Sequence, residues 1–475
     1  MDASRQPAHR SGARRAAAAT LAFLLLAGVV TAVSLVPVPV GTARAAMSPR
    51  ALAGVGASPV KVPGSPVGKQ LDWLLGIANR LPLSSEEISD HFDAAILAQV
   101  TPAELNEGLA SLGPPGSSVT LLQLSKVEER SLLALVQIGR GRYSVELAVD
   151  ASGLIAHLLF RPVAAPMPAS WPGIDHQVAG LAPEVSFLAA KVNRNGTCGP
   201  VNSVLAGTPR PLGSMFKLFV LGALANAVRE HRVSWDEQLR VTAGIKVGGS
   251  GTIQDAPVGT KLSVEATALK MISISDNTAA DMLLKLVTRS AVEEQVQAWS
   301  SHASLDVPFL TVSEMFALKY HDFPALADHY LSLSPSQRTA YLVGTVDKVP
   351  ASAEEAASVP RDINSIEWFA SADDLCRALV GLAELEAEPG LSPINEVLST
   401  NSGGIDLNAR IWPRIWFKGG SEPGVMTLGF LARDNHHQSF VVIILTEDTK
   451  QPVQESVAVE LAGLEAAAGA FGLLR

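Results

Sequence analysis

Only two cysteines, Cys198 and Cys376, occur in 475 residues. That excludes a small disulfide-stapled scaffold and a cysteine-based zinc site. Two cysteines allow one disulfide in an oxidising compartment, but these lie far apart in the chain, and the sequence reads as two unpaired, partly buried thiols. None of the ten histidines falls at metal-ligand spacing with cysteine or acidic residues, and His436-His437 reads as a solvated loop. No metal and no other cofactor is expected. There is no internal repeat at the periods of roughly 20–50 residues that mark solenoids and propellers. Charged residues are scarce, at 17% against 47% hydrophobic, which excludes a disordered chain and leaves a globular one with a large core. The formal net charge is −9. Five arginines and one aspartate stand in the first 46 residues, so the remainder is more acidic still. An acidic body argues against nucleic acid or an anionic membrane surface as partner.

The N-terminus has the pattern of a targeting segment. Arg5, Arg10, Arg14 and Arg15 make a basic start, Ala16 to Val40 is apolar and uncharged, and Ala43-Arg44-Ala45 is a small-x-small cleavage signal. The apolar run is longer than an ordinary signal core and nearly long enough to span a bilayer at about 20 residues. Residues 1–46 are therefore a signal peptide or an uncleaved anchor, and the body is extracytoplasmic, secreted or membrane-tethered. No cysteine precedes Cys198, which excludes a lipid-anchored N-terminal cysteine.

Residues 47–65 are rich in Pro, Gly and Ser without periodicity and read as a linker. From Gly68 to about Leu112 the pattern is helical. Leu71, Leu74, Leu75 and Ala78 share a face, while Ser84-Ser85-Glu86-Glu87 and Thr101-Pro102-Ala103-Glu104 are helix starts. The period then changes. Val119–Val127, Ser131–Gly139, Tyr143–Val149 and Leu154–Phe160 are short apolar runs broken by polar turns, the signature of a hairpin meander. Residues 66–165 thus form a small α+β domain, with helices on an antiparallel sheet. After a Pro/Ala-rich linker, a second domain spans 171–475. A short helix covers Ile174–Leu181, and strands follow at Val185–Val192 and Val201–Ala206. A long helical region starts at Ser214 and contains a Gly-rich loop, Gly244–Gly259. Strands at Ile415–Lys418, Gly424–Ala432 and Phe440–Leu445 precede a tail helix with Val457, Leu461, Leu464 and Ala468 on one face. Strands at both ends with helices between imply an α/β domain whose single sheet is built from the two ends of the domain.

The chemistry centres on Gly213-Ser214-Met215-Phe216-Lys217. Ser214 opens a helix, so its backbone N–H points toward where an oxyanion could form. Lys217 lies one turn on and shares its face. A serine hydroxyl is a weak nucleophile, and an amine of lowered pKa can take its proton. Two further motifs follow in order: Ser275-Asp276-Asn277 within an apolar helical stretch, Ala268–Leu286, and Lys418-Gly419-Gly420 ending a strand.

This trio, in this order, resembles the active-site set of class A β-lactamases and penicillin-binding proteins. The segment Ser275 to Asp281 is similar to that family's second-motif helix, and Gly259 to Val264 to the segment leading into it. The resemblance covers about 300 residues and implies a β-lactamase-like fold, an antiparallel sheet flanked by helices. It also implies roles. Ser214 is acylated, Lys217 accepts its proton, and Ser275 passes a proton to the leaving group. Asn277 holds substrate and Lys217, Lys418 supplies positive charge, and the backbone N–H groups of Ser214 and Ser421 form the oxyanion hole, with Gly419 and Gly420 lining the substrate site. Gly419 departs from the family's Lys-Thr-Gly or Lys-Ser-Gly. Arg361-Asp362 resembles the Arg-Asp pair after the deacylating Glu, yet Val349 stands at that Glu's spacing. Glu354 and Glu355 are nearest, which puts efficient deacylation in doubt. The segment 302–350 is an insert. The N-terminal unit resembles the isomerase-like (NTF2/steroid-isomerase) domain of two-domain β-lactamase-like proteins found with clavulanic acid gene clusters. Asp90, His91 and Asp93 read there as a polar helix face. The expectation is an exported serine hydrolase acting on a β-lactam or ester, slow on β-lactams and monomeric. A cell-wall D,D-peptidase acting on peptidoglycan stem peptides and a non-turnover penicillin-binding sensor or scaffold remain the alternatives.

Overall fold

The computed structural model describes residues 33–35, 60–113, 116–139, 141–164, 166–349 and 359–475. Most of the targeting segment, the first part of the 47–65 linker, and Glu354 and Glu355 lie outside the described residues.

Helices Pro66–Leu75, Ser85–His91, Ala94–Leu97 and Pro102–Ala110 precede a meander of strands Val119–Ser125, Ser131–Ile138, Gly141–Val149 and Ile155–Pro162. The helix starts follow their local chemistry. Ser84 Oγ accepts from Glu87 N, and Thr101 and Glu104 close a reciprocal capping box with Pro102 at the first helical position. In Ser131–Ile138 and Gly141–Val149 burial alternates residue by residue, as a sheet with one covered face requires. Leu132, Val136, Val145 and Leu147 meet Val67, Leu71, Ile88 and Leu105 beneath the helices. Val33–Leu35 pairs antiparallel with Leu158 to Phe160 at the sheet's outer edge. The polar face expected at residues 90–93 is divided. His91 is half-buried and stacks on Trp73 at 3.9 Å, whereas Asp93 caps the next helix by accepting from Ile96 N.

The second unit holds a five-stranded antiparallel sheet. Its order is Arg414–Glu422, Val425–Arg433, Ser439–Glu447, Glu184–Val192, Cys198–Val204. The two ends of the domain therefore meet side by side, as their apolar runs imply. Central strands are buried on both faces because helices cover both. Phe187, Ala189, Phe430 and Val442 face Ile174, Val178 and Phe471. Leu188, Ala190, Leu431 and Val441 face Phe219, Leu375 and Leu379. Each large apolar side chain so buried stabilises by roughly 1.5–3 kcal/mol.

Two expectations fail here. The tail helix, Val457–Leu473, leaves Leu461 and Leu464 only half-buried, Leu464 resting against the core rather than within it. Gly463, Ala466, Ala467 and Ala470 are buried instead. Small residues let the helix lie close to the sheet: a Cβ on Gly463 would stand 3.0 Å from Leu428 Cδ1. The thiols are not free either. Cys198, on the edge strand, is bonded to Cys376, on the helix Ala372–Glu386, with Cα atoms 6.4 Å apart. The tertiary fold brings together what a separation of 178 residues conceals. Among the described residues, no helix is long and apolar enough to cross a membrane.

Candidate active site

The chain enters the site through Arg210-Pro211, a two-residue strand paired with Phe369-Ala370. Arg210 is buried and anchored by Glu447 at 3.1 Å, Glu184 at 2.9 Å and Ser186 Oγ at 3.2 Å. Leu212 N then donates to Trp368 O at 2.9 Å, and Gly213 turns into the left-handed region with φ +50°. A Cβ there would come within 2.7 Å of Ser421 N, so glycine is required. Ser214 sits in a 3-10 turn, Gly213–Phe216, and the α-helix proper runs Lys217–Arg229. The helical start inferred at Ser214 is thus a tighter turn leading into the α-helix.

Lys217 is fully buried. Its Nζ lies 3.1 Å from Ser214 Oγ, 2.7 Å from Asn277 Oδ1, 2.6 Å from Ser275 O and 3.2 Å from Ser275 Oγ. Lys418 Nζ reaches the same Ser275 Oγ at 3.0 Å. All three motifs therefore converge on one pair of hydroxyls. Burial, then the neighbouring Lys418 ammonium, hold Lys217 well below the ordinary lysine range, against the opposing pull of Asp276 and Asp281. Burial brings Lys418 down to about 7. Two amines in one dry cavity cannot both keep their protons cheaply.

The second motif corrects the sequence reading. The helix is not continuous through it: Val264–Ser273 ends, Ser275 takes φ +56°, and a new helix starts at Asn277. Apolar periodicity runs across this break, so the pattern hides it. A non-glycine residue in the left-handed region is costly, and such strain persists where its surroundings over-determine it. Asp276 supplies that restraint. Oδ1 accepts from Ala279 N, and Oδ2 from Thr252 N and Ile253 N. The Gly-rich loop is thereby fastened to the motif. A Cβ on Gly251 would fall 2.2 Å from the Asp276 carboxyl carbon. Asn277 Nδ2 donates to Gly248 O at 2.9 Å, which turns its Oδ1 toward Lys217.

The third motif does not end its strand, which continues to Glu422. A Cβ on Gly420 would stand 2.1 Å from Leu212 O and 2.6 Å from Ser214 N. That close approach sets the amides of Ser214 and Ser421 on neighbouring backbone. Gly419 has its own reason: a Cβ there would meet the Phe417 ring at 2.9 Å and Thr427 O at 3.0 Å.

Among the described residues, the contacts of Arg361 include no carboxylate. It donates to Lys319 O at 3.0 Å and lies over the rings of Phe323 and Tyr320. Sequence reasoning missed Lys319, Glu367 and Glu422, a buried charged group behind the Ser214 turn. Their signal is a charge set inside an apolar run, as in Ile366-Glu367-Trp368-Phe369 and Leu318-Lys319-Tyr320.

Residues 62–155 match the family model described as ORF 12 gene product N-terminal. No curated protein matches the chain. Among solved structures, a beta-lactamase from Sphaerobacter thermophilus is 20% identical over 64% of this chain and 98% of its own, with a TM-score of 0.44. PBP-A is 14% identical over 66% and 100%, with a TM-score of 0.41, and a beta-lactamase from Chitinophaga pinensis 15% over 62% and 98%, with 0.42. Residues 194–383, which hold Ser214, Lys217, Ser275 and Asn277, match the model of the beta-lactamase enzyme family.

Proposed function

We propose that residues 171–475 form a serine hydrolase that acylates Ser214 with a β-lactam or ester and releases the acyl group slowly. The observation that carries this reading is the placement of Lys217 Nζ, buried and 3.1 Å from Ser214 Oγ. A neutral amine there accepts the Ser214 proton as Oγ attacks the substrate carbonyl carbon. The oxyanion forms against the amides of Ser214 and Ser421. Ser275 Oγ, between the two lysines, hands a proton to the departing nitrogen or oxygen, and Lys217 replaces it. Lys418 attracts a substrate carboxylate. With glycine at 419 the position after that cation supplies no hydroxyl of its own, and the hydroxyl beside Lys418 is that of Ser275.

Release requires water and a base. Among the described residues, the hydrogen bonds of Ser214 Oγ and Lys217 Nζ include no carboxylate. This favours a long-lived adduct, and with it the second reading, a penicillin-binding protein with little turnover. Export is supported by the N-terminal basic and apolar pattern and by the Cys198–Cys376 bond, which suits an oxidising compartment. For the N-terminal unit, four helices ahead of an antiparallel meander support the isomerase-like reading. The test is labelling by a fluorescent penicillin. Wild type becomes labelled, and Ser214→Ala loses all label while keeping its circular dichroism. Equal labelling of the variant refutes the proposal.

A further inference from the structure

Glu367 lies behind the Ser214 turn, and the acylation chemistry above leaves it unused. Its side chain is fully buried, and its Oε1 accepts from Gly213 N at 2.8 Å. Among the described residues its Oε2 is buried without a hydrogen-bond partner, and it stands 3.5 Å from Lys319 Nζ. Lys319, also fully buried, is gripped by both oxygens of Glu422, at 2.7 and 2.8 Å. Glu422 directly follows Ser421 on its strand. Lys319 is pinned in turn through its carbonyl by Arg361, and Tyr320 follows it on the same helix, Val312–Tyr320. One buried Glu–Lys–Glu group therefore touches the backbone on both sides of the oxyanion site.

We propose that Glu367 is a positioning residue for acylation: its Oε1 fixes Gly213 N–H, and with it the left-handed turn that aims Ser214, while Lys319 joins it to Glu422 beside Ser421. This rests on the reading of Ser214 as nucleophile and extends it to the residues that hold the nucleophile in place. Burial, and then the Glu422 carboxylate, raise the Glu367 carboxyl well above its ordinary range, against the opposing pull of Lys319.

The role asks for a carbonyl oxygen at a fixed reach, not for a charge. Glu367→Gln keeps the reach and the carbonyl oxygen. Glu367→Asp keeps the carboxyl but is one methylene too short to meet Gly213 N. The experiment is stopped-flow acylation of the full chain by a fluorescent penicillin, giving the first-order acylation rate and the half-saturating concentration separately. Because the rate is first order, partial unfolding of a variant lowers the amplitude and leaves the rate alone. Glu367→Gln is expected within about threefold of wild type. Glu367→Asp is expected to acylate roughly 10–100-fold more slowly at unchanged half-saturation, the scale of an ångström-sized misplacement. If Asp matches wild type, or Gln falls tenfold, the proposal is overturned; should Asp fail to fold, the Gln result decides alone. A wild-type chain that takes no label overturns the Ser214 reading and this one with it. With a labelled wild type, the two variants test Glu367 by itself.

Discussion

In the proposed mechanism Lys217 serves as base because it is hard to protonate where it sits. Its amine is buried and faces a second lysine, which together outweigh the pull of Asp276 and Asp281. Lys217→Ala should therefore slow acylation by roughly 10²–10⁴-fold, with the drop read by penicillin labelling; a change under threefold would mean that another group takes the proton. The pH dependence follows from the two lysines. Lys217 acts in its neutral form, so kcat/KM falls as the pH drops through its depressed pKa. Lys418 acts in its charged form and titrates at about 7, so kcat/KM for a substrate bearing a carboxylate falls as the pH rises past neutrality. An ester lacking the carboxylate should lose that alkaline limb. Rate profiles from pH 5 to 10 for the two substrates check this, and identical profiles would contradict it. That Ser214, Lys217, Ser275, Asn277 and Lys418 come together was legible from spacing and order. Glu367 and Lys319 were not, because a lone charge inside an apolar run has no motif to announce it.

At the level of elements, the site is a close crossing of backbone: the Ser214 turn against the strand Arg414–Glu422. Gly420 makes the crossing, with its missing Cβ 2.1 Å from Leu212 O and 2.6 Å from Ser214 N. The neighbours are backbone and cannot swing aside. Gly420→Ala should cut the acylation rate at least tenfold, with an overpacking cost of about 1–3 kcal/mol seen as a lowered Tm. Unaltered labelling would show that the strand can retreat. The strands and most helix starts could be read locally, since alternation and caps such as Thr101–Glu104 act within a few residues. The break at Ser275 could not, because its left-handed backbone is imposed by Asp276 and a loop more than twenty residues away. The tail helix misled for a related reason. Its leucines suggest the core face, but the residues it buries are mostly small, with Val459 and Phe471 near its two ends.

The N-terminal core meets the second unit at a seam. Ala458, from the tail helix, packs in the N-terminal core, and a Cβ on Gly141 would stand 2.7 Å from it. The rest of that core is contributed by residues 67–158. A fragment of residues 60–165 should then fold alone and unfold cooperatively by circular dichroism; a fragment without structure would show that the seam is essential to the fold. The helices-then-meander order of the N-terminal unit was readable from the change of period near residue 119. The Cys198–Cys376 bond was not, because strand and helix meet only in the finished fold. A site built this way should acylate readily and release poorly. Pre-steady-state kinetics with a chromogenic cephalosporin, with intact mass followed in parallel, tests this most directly. The prediction is a burst of about one product per active site, an acyl adduct that maps to Ser214, and a slow phase as it decays. Fast linear turnover with no burst and no adduct, lost in Glu354→Gln or Glu355→Gln, would contradict it.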